Sequence, residues 1–229
     1  MCHQSCIDFV KKYLEQENIA GKSVLEVGAY DVNGTVRPVV FGMNPSSYVG
    51  VDIEMGPGVD IVCDAGRLVE RLGENTFDIL LCTEMLEHVK DWRKVISNLK
   101  NVVKPNGLLI ITTRSKGFVY HAYPYDFWRF EVTDFRDIFC DLNIEALETD
   151  PLLPGVFLKA KKPVDFKENN LRNKSIYSIM TESNRIEISF FDVLLFRMQC
   201  LIGPFLAKIL PSTIKRLLKN LYYRLRLSH

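Results

Sequence analysis

The sequence predicts an α/β fold: a doubly wound, largely parallel sheet with helices on both faces, followed by a helical C-terminal extension. Three observations predict it. Short apolar runs rich in β-branched residues recur through the first half of the chain, several of them stop at an acid or a glycine, and segments with helical spacing alternate with them. The 229 residues fit one large α/β domain, or a domain of roughly 160 residues plus an extension. The change in character after Lys161-Lys162-Pro163 puts the domain at 1–163 and the extension at 164–229.

Residues 7–16 carry apolar side chains at helical spacing, and Gly21 closes that segment. Ser23-Val24-Leu25-Glu26-Val27-Gly28 reads as the first buried strand, breaking at a sharp turn. Residues 48–53 and 59–65 are the second and third strands, each ending near an acid; 77–82 and 108–113 are the fourth and fifth. Asp91 caps a helix whose Trp92, Val95, Ile96, Leu99, Val102 and Val103 share one face, and Lys104-Pro105-Asn106-Gly107 ends it. Thr133 caps a further helix through Phe139. Residues 144–149 and 156–160, joined by turns at Pro151 and Pro154, read as closing strands whose short connection allows antiparallel pairing. Residues 165–185 are polar and read as loop with a short helix. Residues 188–202 are apolar nearly all round, yet too short and too charged for a membrane span, and Gly203-Pro204 breaks them. Residues 212–227 form a basic amphipathic helix.

The net charge of +1 is unevenly spread. Residues 204–229 hold Lys208, Lys215, Arg216, Lys219, Arg224 and Arg226 and no acid, leaving a net charge of −5 on the rest. The first domain thus lacks the basic stripe that nucleic acid needs. The six cysteines lie mostly in apolar runs, without disulfide-scaffold spacing, which points to reduced, buried thiols in a cytoplasmic protein. The N-terminus lacks the pattern of a signal peptide.

Acids at the ends of successive strands point to a nucleotide-like ligand in the crevice at the carboxyl ends of the sheet. Asp52 stands where a carboxylate accepts hydrogen bonds from both ribose hydroxyls. A dinucleotide needs G-x-G-x-x-G; here Tyr30 occupies the second glycine position, Asn33 the third, and Asp31 adds negative charge where phosphates would lie. Acids suit a sulfonium cation instead. These residues resemble the class I S-adenosylmethionine-dependent methyltransferase family: Val24-Leu25-Glu26-Val27-Gly28, then Val51-Asp52, Cys63-Asp64-Ala65, and the run from Phe77 through Thr83-Glu84-Met85-Leu86-Glu87-His88-Val89.

The resemblance, over residues 20–160, implies a Rossmann-like seven-stranded sheet with an antiparallel last strand and S-adenosylmethionine as cofactor. It implies that Glu26, Gly28, Thr83 and Glu84 face the methionine portion, that Asp52 and its neighbour Ile53 meet the ribose, and that Asp64 and Ala65 meet the adenine. Tyr30, Asn33 and Gly34 complete the cofactor loop, where the family's G-x-G-x-G is altered.

Methyl transfer from a sulfonium is an in-line displacement that mainly requires alignment and exclusion of water, with a base if the acceptor is a hydroxyl. The aromatic-rich segment 114–130 is the place for the substrate. His121, with an ordinary pKa of about 6.5, is the preferred base, next to Asp126. Arg114, Tyr123, Tyr125, Trp128 and Arg129 either form a platform for a sugar or ring, or anchor the loop. No metal is expected, because no third ligand is evident beside Asp126 and His121, and Glu87 and His88 read as packing at a helix start. The expected function is methyl transfer to a small-molecule hydroxyl, a saccharide or a lipid-linked metabolite. A nicotinamide oxidoreductase and a non-catalytic cofactor-binding module are the competing readings. Residues 188–227 either dimerise, cover the core, or contact the inner face of a membrane.

Overall fold

The computed structural model describes residues 3–121 and 125–209, the stretch 202–209 by backbone alone. The amphipathic helix expected at 212–227 and Tyr123 lie outside the described residues. The chain divides into two compact units after Glu187.

The first unit is built on a seven-stranded sheet. Its strands are β1 (Ser23–Val27), β2 (Ser47–Asp52), β3 (Ile61–Val62), β4 (Phe77–Thr83) and β5 (Val103–Arg114), followed, after the short β6 (Trp128–Arg129), by β7 (Asn143–Thr149) and β8 (Gly155–Lys161). Their order is β3-β2-β1-β4-β5-β8-β7, parallel from β3 to β5, with β8 antiparallel to both of its neighbours. The doubly wound sheet expected from the sequence is therefore present. Strand order reverses direction at β1, and the crevice that ligands use in such sheets opens at the carboxyl ends of β1 and β4.

Both faces of the sheet are covered, as continuous apolar strands require. On one face, Cys6, Phe9 and Val10 of α1 (Gln4–Tyr13), with Leu14 and with Ile19 of α2 (Gln16–Ile19), pack against Val24, Ile79, Leu81, Ile110 and Phe157. The strand residues of opposite parity, Leu25, Leu80, Cys82, Leu109 and Ile111, are buried too. The short α3 (Arg37–Phe41) and α4 (Leu68–Leu72) follow β1 and β3, and α5 (Trp92–Val102) buries its apolar stripe. Asp91 caps α5 as expected, its carboxylate accepting from Lys94 N at 3.2 Å.

Several details differ from the sequence expectation. The helix over 132–138, α6 (Val132–Ile138), is capped by a reciprocal box of Glu131 and Asp134 rather than by Thr133, because the pair satisfies two helix-end N–H groups. Residues 165–185 contain no helix. They form β9 (Ile176–Ser178) and β10 (Ser183–Arg185), which join β6 in a three-stranded antiparallel sheet. The Arg93 guanidinium fastens the segment by donating to the carbonyls of Leu171, Lys174 and Ile186. The first unit thus extends past the boundary at 163, since its pairing partner, β6, lies far back in the chain. Cys140 and Cys200 are exposed, unlike the buried Cys6 and Cys82, and none of the described cysteines is in a disulfide.

The second unit contains α7 (Phe190–Ile209), begun by Ser189, whose hydroxyl accepts from Asp192 N while its own N–H donates to the Asp192 carboxylate.

Candidate functional site

A cavity of about 620 Å³ lies at the carboxyl ends of β1, β2 and β4, walled by Gly28, Asp52, Asp64, Glu84, Met85 and His88 among others. β1 hands over to the loop at Gly28, whose φ of +83° suits glycine, and a Cβ there would stand 2.8 Å from the Cβ of Met85. The backbone runs so close to the β4 loop that no side chain fits between them. Asp52 ends β2 and braces the same turn: its carboxylate accepts from Tyr30 N at 3.1 Å and from Ile53 N at 2.7 Å. Asp64 begins a 3₁₀ turn and accepts from Gly66 N at 2.7 Å. Asp31 folds the loop on itself by accepting from Gly34 N at 2.8 Å. The walls carry Asp52, Glu54, Asp64 and Asp91 against Lys90 and Lys94, an excess of negative charge, with Glu84 paired to Arg114.

Beyond Met85 the chain brings three chemically active side chains together. Glu87 and His88 follow β4 in a 3₁₀ turn, and His121 arrives from the loop after β5. The His88 and His121 rings meet edge to face at 4.8 Å. His88 Nδ1 lies 2.7 Å from the Tyr125 carbonyl, which fixes that nitrogen as the donor. Glu87 is fully buried; its Oε2 accepts from the Thr113 hydroxyl at 2.8 Å, and its Oε1 lies 3.7 Å from His121 Nε2. His121 Nδ1 lies 2.9 Å from Asp126 Oδ2, and Asp126 is held in turn by Arg129 at 2.5 and 2.6 Å. Burial opposes the charged form of His121, but Asp126 and Glu87 outweigh it and push its pKa up to about 9. Burial likewise works against the Glu87 carboxylate, yet His121, His88 and Thr113 hold its pKa below the usual range. Glu84 shifts the other way, raised by burial and by the Glu87 charge, with Arg114 opposing. The Arg114 guanidinium pairs with Glu84 and with Asp150, the latter at 3.3 Å, in a fully buried cluster.

A family profile described as a methyltransferase domain matches residues 3–149. The chain belongs to the S-adenosylmethionine-dependent methyltransferase family. Among curated proteins it is similar to the ubiquinone biosynthesis O-methyltransferase of Pseudomonas syringae pv. tomato, 32% identical over 113 residues, covering 43% of this chain and 47% of that protein. The Coxiella burnetii protein of the same name is 27% identical over 126 residues, covering 49% and 52%. The chain thus spans about half the length of the curated relatives it matches. Among solved structures, the Burkholderia thailandensis 1,6-didemethyltoxoflavin-N1-methyltransferase with bound 1,6-didemethyltoxoflavin and S-adenosylhomocysteine aligns with a TM-score of 0.54 at 14% identity, covering 70% of this chain and 77% of that one. The [4+2]-cyclase SpnF aligns with a TM-score of 0.55 at 16% identity, covering 69% and 80%. The second of these carries a different chemistry on the same fold, so the fold alone does not name the reaction.

S-adenosylmethionine, the cofactor of the methyltransferase family, has two cationic centres and no phosphate. The excess of carboxylates around the cavity and the tight approach at Gly28 fit such a molecule. Of the residues named from the sequence, Gly28, Tyr30, Asp52, Ile53, Asp64, Ala65 and Glu84 line the cavity, together with Tyr125 from the substrate loop. Others are elsewhere. Glu26 is buried beneath the loop and accepts from the Tyr48 hydroxyl at 2.8 Å, and Thr83 closes β4 in the core. Asn33 and Gly34 lie outside the wall, where Val32 stands instead. Arg114, Trp128 and Arg129 are buried. Trp128 Nε1 donates to the Val89 carbonyl at 3.0 Å, and Arg129 donates to the Phe118 and Val119 carbonyls. Of the two functions left open for the aromatic segment, anchoring describes these three. His121 and Asp126 do meet, but His121 stands behind His88, and it is His88 that lines the cavity. The signal for His88 was in the sequence as Glu87-His88 just after a strand, and the structure places it in a 3₁₀ turn with its side chain in the cavity wall.

Proposed function

We propose that the protein is an O-methyltransferase whose acceptor is a hydroxyl group of a small molecule. The observation that carries this reading is the cavity at the ends of β1, β2 and β4, which meets the Glu87–His88–His121 cluster at His88. When bound, S-adenosylmethionine supplies an electrophilic methyl group. Asp52 is positioned to accept from ribose hydroxyls, Asp64 and the Ala65 N–H to face the adenine, and Gly28 and Glu84 to border the methionine end. His88 borders the cavity with its ring held at Nδ1 by the Tyr125 carbonyl, which leaves Nε2 as the nitrogen able to take up the hydroxyl proton. His121 by itself is a poor proton acceptor at neutral pH, because two carboxylates hold it in its protonated form. The O-methyltransferase names of the curated relatives support oxygen as the accepting atom.

Calorimetric titration with S-adenosylhomocysteine and with NAD tests the reading: binding of the first and not the second is expected, and the reverse would establish an oxidoreductase. Turnover with a panel of hydroxyl acceptors, lost in Asp52→Ala and His88→Ala, separates an enzyme from a cofactor-binding module.

The second unit supports contact with an anionic membrane surface, and hence a lipid-linked or membrane-borne acceptor. Along α7, Phe190, Phe191, Leu194, Leu195, Met198 and Leu201 recur on one face and are exposed, Leu201 to 79%. The sequence that follows carries six basic residues and no acid from 204 to 229. An apolar helix face joined to a run of cations matches the interface of a bilayer containing anionic lipids. No helix among the described residues is long and apolar enough to cross a membrane. Sedimentation with phosphatidylglycerol vesicles is expected to carry down the full chain and to lose it in Leu194→Glu/Leu195→Glu. A dimer that dissociates on that substitution, without vesicle binding, would assign the face to a second copy.

A further inference from the structure

Glu87, His88 and His121 each present one ligand atom within 4.8 Å of the other two. Such proximity alone is common among polar residues. Here the other ring nitrogen or oxygen of each of the three has a polar neighbour of its own. The Tyr125 carbonyl takes His88 Nδ1, Asp126 stands at 2.9 Å from His121 Nδ1, and the Thr113 hydroxyl donates to Glu87 Oε2. What remains are His88 Nε2, His121 Nε2 and Glu87 Oε1. Among the described residues, Glu87 Oε1 and His88 Nε2 are buried without a hydrogen-bond partner, as is His121 Nδ1 despite its ion-pair contact with Asp126, and buried polar atoms left in that way are costly unless something occupies them.

We propose that Glu87, His88 and His121 form a binding site for a single divalent transition-metal cation. Histidines that hold metals commonly anchor the second ring nitrogen on a carbonyl or carboxylate, which sets the tautomer and aims the free lone pair; His88 is anchored in that way, and the Asp126 carboxylate stands 2.9 Å from His121 Nδ1. Two imidazoles and one carboxylate suit a borderline cation such as Zn2+ rather than Ca2+ or Mg2+, which favour all-oxygen shells. Ligand atoms on a tetrahedral zinc lie about 3.4 Å apart for bonds near 2.1 Å. Glu87 Oε1 and His121 Nε2, at 3.7 Å, are nearly there, and the widest of the three separations, at most 4.8 Å, has to close by about 1.4 Å. Three protein ligands leave a coordination position open. His88 is the ligand that also lines the cavity, and a cation whose open position faced that wall would polarise an acceptor oxygen. That role rests on the methyl-transfer reading; the site itself does not.

The test uses the full chain, freed of metal with a chelator and then titrated with Zn2+ and, separately, with Co2+. One Zn2+ per chain is expected, with the visible Co2+ spectrum of a low-coordinate nitrogen and oxygen site. His88→Ala, His121→Ala and Glu87→Gln are each expected to weaken binding by more than 100-fold, and Asp126→Asn by roughly 10- to 100-fold through loss of His121 anchoring. Binding of S-adenosylhomocysteine reports that the variants fold, and X-ray absorption of the zinc-loaded native chain reports its ligands without any variant. Two imidazoles bound to zinc support the site. No uptake, uptake that the three substitutions leave unchanged, or a zinc shell with fewer than two imidazoles would overturn it and leave the cluster as a proton shared between Glu87 and His121. None of these readouts needs an acceptor, so failure of the methyl-transfer assignment and failure of the metal site are seen separately.

Discussion

Replacing Gly28 with alanine places a side chain where the fold has room for none. The residue holds φ at +83°, a conformation that costs an L-residue about 1–2 kcal/mol. The added Cβ would stand 2.8 Å from Met85 Cβ and 2.9 Å from Met85 Cγ. Ordinary carbon contacts lie at about 3.5–4.0 Å, so the β4 loop must retreat by about 1 Å. Together these effects come to about 2–3 kcal/mol, or a fall of roughly 5–10 °C in Tm for a domain of this size. Met85 lines the cavity, so the same retreat widens the cofactor cradle, and about 1.4 kcal/mol of lost fit corresponds to tenfold weaker binding. Differential scanning calorimetry measures the first quantity and isothermal titration with S-adenosylhomocysteine the second. The combination with Met85→Gly removes both clashing atoms and is expected to restore about 1 kcal/mol of the loss. A Gly28→Ala protein that melts within about 1 °C of the native chain and binds the ligand within about twofold would refute the proposed packing of the loop against Met85.

Four further outcomes follow from other residues. Asp52→Ala removes a charged acceptor and the brace of the Tyr30 turn, and S-adenosylhomocysteine titration is expected to show binding weakened by about 10- to 100-fold. His88→Gln is expected to lower kcat by about 100-fold in a methyl-transfer assay while S-adenosylhomocysteine affinity stays near native; equal losses in both would assign His88 to cofactor binding. Glu26 is buried, and burial pushes its pKa up to about 7 from 4.5. The raised folded-state value means that its stabilising contribution is complete below about pH 4.5 and is lost as pH rises through 7, so in cofactor-free protein Glu26→Gln should match the native chain at acid pH and exceed it by about 3 kcal/mol above pH 8 in urea titrations. Lys100 is fully buried with Asp141 at 2.7 Å, so Asp141→Ala strands a cation and is expected to cost about 3–5 kcal/mol by denaturant unfolding, most of it recovered in Asp141→Ala/Lys100→Met.

The parallel sheet was legible because its strands announce themselves locally. Val24 to Val27 and Phe77 to Cys82 are apolar on both pleat faces apart from Glu26 and Asp78, a pattern of strands covered on both faces, and Asp52 and Asp64 sit at strand ends where the crevice must be. The hairpin of β9 and β10 was not legible. Its pairing partner is the two-residue β6, nearly fifty positions upstream, and short polar strands carry no periodic signal. Glu26 illustrates the same limit inside the site. Its place in the motif suggests contact with the cofactor, and the hydrogen bond that the Tyr48 hydroxyl on the neighbouring strand donates to its carboxylate had no sign in the sequence.

By itself, the sequence determined the fold class, the methyltransferase family and the strand ends that wall the cavity. These depend on hydrophobic period and on acids at short fixed spacing, both of which act along the chain. Tertiary structure alone decided which of the active side chains meet. Glu87 and His88 lie more than thirty residues from His121, and their juxtaposition is set by the return of the chain after β5 and by the anchors Tyr125 and Asp126. Contacts of that range depend on the packing of the whole sheet, and no local pattern records them.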